Sequence, residues 1–276
     1  MISKTAMITI CGRPNVGKST LTNALAGEKI AIVSNKPQPT RNRITAVCQR
    51  GETQFVFLDT PCFHKLRTRL GDYMVNVGRQ SVADVDAVVL VVEPVASLGP
   101  QERELIASIK AANCPAVLAI NKLDTVEPEK LLAVIALYSE AYAFNAIVPI
   151  SAKTGDGVEE LLKELDKFAV ESPALFPEGV TTDQPEKQVC AELIREKLLL
   201  NLEREVPHGT AVEITRFSER DDGIIDLEAT IYCEKASHKG IIIGKHGAML
   251  KKIGEDARKD IEEFMGTKVL LQTWVN

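Results

Sequence analysis

The octet Gly12-Arg13-Pro14-Asn15-Val16-Gly17-Lys18-Ser19 fits the pattern G-x-x-x-x-G-K-[ST], and nothing else in the chain restricts its folding choices so tightly. A loop of this kind works only between a strand and a helix. The apolar run Ala6–Cys11 leads into it, and a helix-compatible stretch opens at Lys18. Its glycines let the backbone curl so that N–H groups face phosphate oxygens, and the helix N-terminus adds a favourable dipole. Lys18 suits the β- and γ-phosphates of a nucleotide, and Ser19 offers a hydroxyl to Mg²⁺. The expected phosphate site is Gly12 to Ser19, with Thr20 beside it. The plain alternative is a chance glycine turn.

The pattern around the loop agrees with the first reading. Thr45–Arg50 and Thr53–Leu58 read as a hairpin turning at Gly51-Glu52. Asp86–Val92 is a continuous apolar run, as a strand covered on both faces should be, and Ala116–Ile120 and Ala146–Ile150 repeat it. Helices are expected over about residues 70–82, 101–112, 128–143 and 157–170. This alternation predicts an α/β fold, a P-loop NTPase with a mostly parallel sheet and helices on both faces. Ser172–Lys187 carries three prolines and a glycine and reads as a linker. Beyond it the order changes to α-β-β-α-α-β, a smaller α+β unit. The expected organisation is a domain over 1–171, a linker over 172–187 and a second domain over 188–276.

Composition narrows the classes. Hydrophobic content of 45% and charged content of 26% sit near the globular average, which argues against wholesale disorder. The net charge of −5 argues against an indiscriminate polyanion binder. Six cysteines lie scattered with no C-x-x-C pair, which argues against zinc and fits a reduced, cytoplasmic setting. No run approaches the roughly 18 apolar residues of a membrane span, so membrane contact is expected to be peripheral at most.

Further motifs follow in order. Asp59-Thr60-Pro61 closes the strand Thr53–Leu58 and brings a carboxylate to the metal, acting through a Mg²⁺-bound water. An aspartate at a strand end is ordinarily a turn residue, so its place after the phosphate loop is what gives it weight. Thr40, in the polar stretch Ser34–Arg43, can bring its hydroxyl to Mg²⁺ and its N–H to the γ-phosphate, as loops that order around a triphosphate do. Lys18, Thr40 and Asp59 form the expected catalytic group, with Ser19 and Thr40 as metal ligands.

Asn121-Lys122-Leu123-Asp124 follows strand Ala116–Ile120, at the sheet edge where α/β sheets bind ligands. Guanine presents N1–H and an exocyclic amine, and one carboxylate, Asp124, accepts from both. Adenine has no such pair, so Asp124 argues for GTP over ATP. Asn121 buttresses the loop, the Lys122 stem packs along the ring, and in Ser151-Ala152-Lys153 the Ala152 N–H meets the guanine oxygen. Either motif alone is an ordinary turn. Both, after successive strands downstream of a phosphate loop, form a guanine site.

In the C-terminal part, Gly240-Ile241-Ile242-Ile243-Gly244-Lys245-His246-Gly247 precedes a helical stretch, about Ala248–Met265. A G-x-x-G turn between two helices lets a nucleic-acid backbone approach their ends, with about four bases in the groove beneath. Between Lys235 and Lys259 seven basic residues stand against Glu255 and Asp256. The expected RNA-binding set is Lys239 to Gly247, with Ile241, Ile242 and Ile243 lining the groove, and Lys251. A solvated helix surface is the bland alternative.

GRPNVGKS, Thr40, DTP, NKLD and SAK resemble the five guanine-nucleotide motifs of the translation-factor-related GTPases. The RPN in the loop and the segment PQPTRNR are similar to the Era branch, in which a GTPase domain precedes a type II KH domain. The resemblance implies binding of GTP and GDP, hydrolysis of GTP, recognition of the 3′ end of 16S rRNA and a role in assembling the 30S subunit. It also implies contact with the inner face of the cytoplasmic membrane; a monomer is expected. Two positions depart from the family pattern. Cys62 stands where D-T-P-G has glycine and is expected to impair the active switch state, and Pro39 stands where relatives often carry threonine. Phe63 occupies the place of a water-orienting glutamine, so slow turnover is expected. Relatives with an apolar residue there use the P-loop asparagine, here Asn15, to help hold K⁺, so stimulation by K⁺ is expected. The competing readings are a non-hydrolysing guanine-nucleotide sensor that binds RNA and a different GTPase of the same branch.

Overall fold

In the computed structural model, which describes residues 2–34, 44–59 and 85–276, the phosphate loop leaves a strand buried along almost all its length. That strand, β1 (Lys4–Cys11), pairs in parallel with β3 (Thr53–Asp59) on one side and β4 (Ala87–Val92) on the other. The sheet continues through β5 (Ala116–Ile120) to β6 (Ala146–Pro149), while β2 (Ile44–Arg50) closes the other edge antiparallel to β3. The order is β2-β3-β1-β4-β5-β6, so chain direction of travel reverses beside β1, and such a crevice is where open α/β sheets bind ligands. The helices are α1 (Lys18–Ala26), α2 (Pro100–Ala112), α3 (Pro128–Ala141) and α4 (Val158–Asp166).

Every residue of β4 and β5 is buried. Val88, Leu90 and Val92 pack with Ile106 and Ile109 of α2 and Val134 and Tyr138 of α3. The alternate residues Ala87, Val89 and Val91 are equally buried, so the sheet is covered on both faces. On α4, Leu161, Leu162 and Leu165 form the buried stripe.

Two of the expected helix ends lie further along the chain than the helices themselves reach. The helix expected over 157–170 ends at Asp166, where Phe168 and Ala169 N–H groups bond back to Leu165 and Asp166 and tighten the turn. The chain then forms β7 (Val170–Glu171), antiparallel to β1. Helix α3 stops at Ala141, two residues short, and the helix expected over 70–82 lies outside the described residues.

By contacts, described residues 2–28, 44–59 and 85–183 form one unit, and 29–34 with 184–276 form a second. The proline-containing stretch 172–183 is tied to the first unit by a buried side chain. The Gln54 amide accepts from the N–H groups of Leu175 and Phe176 at 2.7 and 3.0 Å and donates to the Phe176 carbonyl at 2.9 Å. Thr181 and Thr182 then pair with β2.

The second unit follows the expected order: α5 (Glu186–Asn201), β8 (Thr210–Glu219), β9 (Ile225–Cys233), α6 (Ala236–Ile243), α7 (Ala248–Met265) and β10 (Val269–Val275). Its sheet runs β10-β9-β8, with β9 antiparallel to β8 and parallel to β10. Ile225, Leu227, Ala229 and Ile231 alternate inward along β9 and meet Ile253, Ala257 and Ile261, one stripe at four-residue spacing on α7. Helix α5 also buries charge. Glu196 (2% exposed) accepts from the Val33 N–H at 2.9 Å and pairs with Lys29 at 2.6 Å and Lys197 at 3.1 Å, while Asp260 meets both lysines. Burial works against the Lys29 charge, but its bonds to Asp260 and Glu196 outweigh it and raise its pKa.

Candidate functional site

The phosphate loop and the base loop are locked together by one side chain. Asn121, buried just after β5, donates from Nδ2 to the Val16 carbonyl at 2.8 Å and accepts at Oδ1 from the Ala152 N–H at 2.9 Å. A β-carbon on Gly17 would lie 2.2 Å from Asn121 Nδ2, so only glycine permits this packing, and its φ of +99° needs glycine as well. Gly12 is as constrained, since a β-carbon there would meet the Val91 carbonyl oxygen at 2.4 Å. Val16 is fully buried, Pro14 and Asn15 are exposed, and Thr20 is half-buried in the first turn of α1. Lys18 Nζ donates to the carbonyls of Gly12 and Arg13 at 3.0 and 2.9 Å, which fixes its ammonium over the loop.

In the base loop, Asp124 is exposed and its Oδ1 accepts from the Ser151 hydroxyl at 2.7 Å. That bond holds the carboxyl below its ordinary pKa, so it stays an acceptor at neutral pH. Ser151 is itself fixed: it is buried, and its N–H donates to Asp156 O at 2.8 Å. Lys153 is exposed. The Ala152 N–H, expected to meet a base oxygen, is the donor that Asn121 holds.

Asp59 ends β3 and is 1% exposed, and among the described residues its carboxylate has no neighbour to bond beyond the Ser19 hydroxyl. Burial pushes its pKa up to about 6, while the charge of Lys18 and the hydroxyl of Ser19 pull the other way. A buried carboxylate beside a hydroxyl is a hard-oxygen donor set and fits Mg²⁺, which takes few protein ligands and keeps several waters. Among the described residues no cluster of three or more His, Cys, Asp or Glu side chains could hold a metal by itself. Thr40, Thr60, Pro61, Cys62 and Phe63 lie outside the described residues.

Two acidic residues here were not singled out from the sequence. Glu93, directly after β4, pairs with both Arg13 and Lys122, and the largely buried Glu102 of α2 pairs with Arg13 at 2.9 Å. The one available signal was position: Glu93 follows an apolar strand, as Asp59 and Asn121 do.

In the second unit, Gly244 has φ +72°, and a β-carbon there would sit 2.6 Å from Met249 Cβ. His246 takes a left-handed φ of +52°, and Gly247, at φ +79°, opens α7. Lys235, Lys239, Lys245, Lys251, Lys252, Arg258 and Lys259 are all exposed, as are Gly240, Ile241 and His246. Ile243 is half-buried. Ile242, expected to line a groove, is fully buried in the core of this unit, because a helix turns its neighbour to the opposite side.

The buried Asp59 has a consequence that pH reads out. Between about pH 4 and 6 the unfolded chain ionises this group while the folded protein keeps it protonated, so stability falls as pH rises, then levels off. Without nucleotide or Mg²⁺, Asp59→Asn should therefore gain on the wild type by about 3 kcal/mol between about pH 4 and pH 7. Urea unfolding at several pH values measures this, and a pH-independent difference would contradict it.

Relatives carry the same layout. The family model described as "50S ribosome-binding GTPase" matches residues 7–122, and a KH-domain model matches 205–276. GTPase Era of Ruminiclostridium cellulolyticum is 51% identical over 275 residues, covering 100% of this chain and 92% of that protein. GTPase Era of Clostridioides difficile is 47% identical over 274 residues, covering 99% and 92%. A crystal structure of Era with MgGDPNP and nucleotides 1506–1542 of 16S ribosomal RNA is 35% identical, with TM-score 0.86 over 99% of this chain and 93% of that one. A variant of Aquifex aeolicus Era bound to GDP and aluminium fluoride matches equally, at 35% identity and TM-score 0.86 over the same shares. With both units matched and half of all residues shared along its whole length, the chain belongs to the Era family of GTPases.

Proposed function

We propose that the protein binds and hydrolyses GTP at the first unit, binds the 3′ region of 16S rRNA at the second, and acts in 30S subunit assembly. The observation that carries the nucleotide half is Asp124, an ionised carboxylate held outward by Ser151 in a loop that Asn121 ties to the phosphate loop. One carboxylate accepting from both N1–H and the exocyclic amine selects guanine. Lys18 neutralises the β- and γ-phosphates, and the backbone of Gly12 to Thr20 cradles them. Magnesium, held by Ser19 and Thr40 and through water by Asp59, would neutralise charge that builds on the phosphate oxygens. Water is the nucleophile, and the protein contributes positioning and charge rather than covalent chemistry. Phe63 cannot hydrogen-bond that water, which makes unaided turnover slow and favours one rival, a nucleotide sensor that does not hydrolyse. Single-turnover assays with and without RNA separate the two.

The RNA half rests on the G-x-x-G turn, the basic exposed face around it and α7, whose first turn carries no acid. Its N–H groups and dipole suit phosphate, while the exposed Ile241 offers apolar contact to bases. This reading includes a cytoplasmic monomer whose membrane contact is peripheral. No helix among the described residues is long and apolar enough to cross a membrane.

Three outcomes are expected. Asp124→Asn should weaken GTP binding about a hundredfold, the loss of a charge-assisted hydrogen bond, and favour xanthosine triphosphate, whose O2 accepts from an amide. Competition against labelled GTP measures both, and equal displacement by ATP from the wild type would remove the guanine assignment. Asn15 stands exposed on the loop at φ +66°, and in matched buffers K⁺ should speed hydrolysis relative to Na⁺. Lys245→Ala should weaken binding to a 16S 3′-end oligonucleotide and lower the salt slope by about 0.7. An unchanged slope would take Lys245 off the phosphate path.

A further inference from the structure

We propose that Glu93 is a positioning residue for guanine-nucleotide binding: its carboxylate bridges Lys122 of the base loop and Arg13 of the phosphate loop. This rests on the guanine-nucleotide reading above and extends it to a residue outside the five motifs.

Glu93 is the first residue past β4, a strand buried at every position and paired on both sides with β1 and β5. It therefore leaves the most rigid part of the sheet. One carboxylate oxygen, Oε1, meets Lys122 Nζ, and the other, Oε2, meets Arg13 Nη2. Each partner is engaged a second time. Lys122 Nζ also donates to the Asn15 carbonyl at 2.8 Å, and Arg13 Nε lies 2.9 Å from Glu102. The Arg13 carbonyl in turn receives Lys18 Nζ at 2.9 Å. A continuous path thus runs from the base lysine through Glu93 and Arg13 to the phosphate lysine.

Surface ion pairs usually contribute little, and that is the plain alternative. Two observations argue against it. The Glu93 side chain is 23% exposed and takes two cations at once, and both are less than two-fifths exposed. Lys122 also has φ +66°, a left-handed conformation costly for a residue with a β-carbon, so something must hold it. The Asn15 carbonyl fixes the ammonium from the phosphate loop and Glu93 fixes it from the sheet. Together they set the line of the lysine stem against which a base ring packs. Without the carboxylate, Lys122 keeps one anchor and Arg13 keeps Glu102, so the loops stay folded while their spacing loosens. The expected effect is faster nucleotide release.

Stopped-flow release of a fluorescent GDP from the full chain tests this in wild type, Glu93→Gln, Glu93→Asp, Lys122→Ala and the Glu93→Gln/Lys122→Ala pair. Glu93→Gln should release GDP about tenfold faster and raise KM more than it lowers kcat, and Glu93→Asp should recover most of the difference. The double variant should release no faster than Lys122→Ala alone, since loss of either end already breaks the bridge between the two loops. An unchanged release rate in Glu93→Gln would overturn the proposal, as would effects that multiply in the double variant. So would failure of Glu93→Asp to recover release in a protein with wild-type melting temperature. If the wild type does not hold fluorescent GDP, the guanine reading itself fails, an outcome distinct from any of these.

Discussion

A single primary amide organises the nucleotide-binding end of this molecule. Asn121 reaches the Val16 carbonyl on one side and the Ala152 N–H on the other, so three loops from three strands share one buried hydrogen-bond centre. Both bonded backbone groups lie out of water, where an unpaired partner costs about 1–3 kcal/mol. Gly17 must lack a side chain for that amide to fit, which makes its identity a packing requirement as much as a conformational one. The arrangement also orders the outward groups. With the loops fixed, Ser151 can turn the Asp124 carboxylate toward solvent, and β3 can present Asp59 beside Ser19.

Much of this was legible before any coordinates. Periodicity placed β3 to β6 within a residue or so, because buried parallel strands read as unbroken apolar runs and their turns are short. The site was legible for a different reason: its motifs are contiguous, and each sits at a strand end. What the sequence did not disclose were interactions between residues distant in the chain. Glu93, Arg13 and Glu102 meet only through tertiary packing, and no local pattern marks an acid that will find a cation eighty positions earlier. Ile242 misled for a simpler cause. Three adjacent isoleucines on a helix cannot share one face, so Ile241 is exposed while Ile242 joins the core.

The stretch 172–183 shows how composition and contact diverge. Prolines, a glycine and weak periodicity are the marks of a linker, and the chain there has almost no regular structure. Its backbone is nonetheless anchored at several points, by the Gln54 amide and by pairing along β2. A buried glutamine on a strand face substitutes for the sheet partner that an irregular segment lacks. Hydrophobic side chains follow, with Leu175 and Phe176 packed on Met7, Val56 and Leu58.

The charges of α5 bear on how the polypeptide can be divided. Among the described residues Lys29 and Lys197 are the cations that meet Glu196 and Asp260, and Lys29 lies about a hundred and fifty residues before Gln184, where the longer part of its unit begins. A fragment beginning at Gln188 would keep α6 and α7 but leave Glu196, 2% exposed in the whole chain, without its Lys29 partner. The second unit is therefore discontinuous in sequence, and severing the chain at its proline-containing stretch would leave Lys29 on the other piece from Glu196 and Asp260.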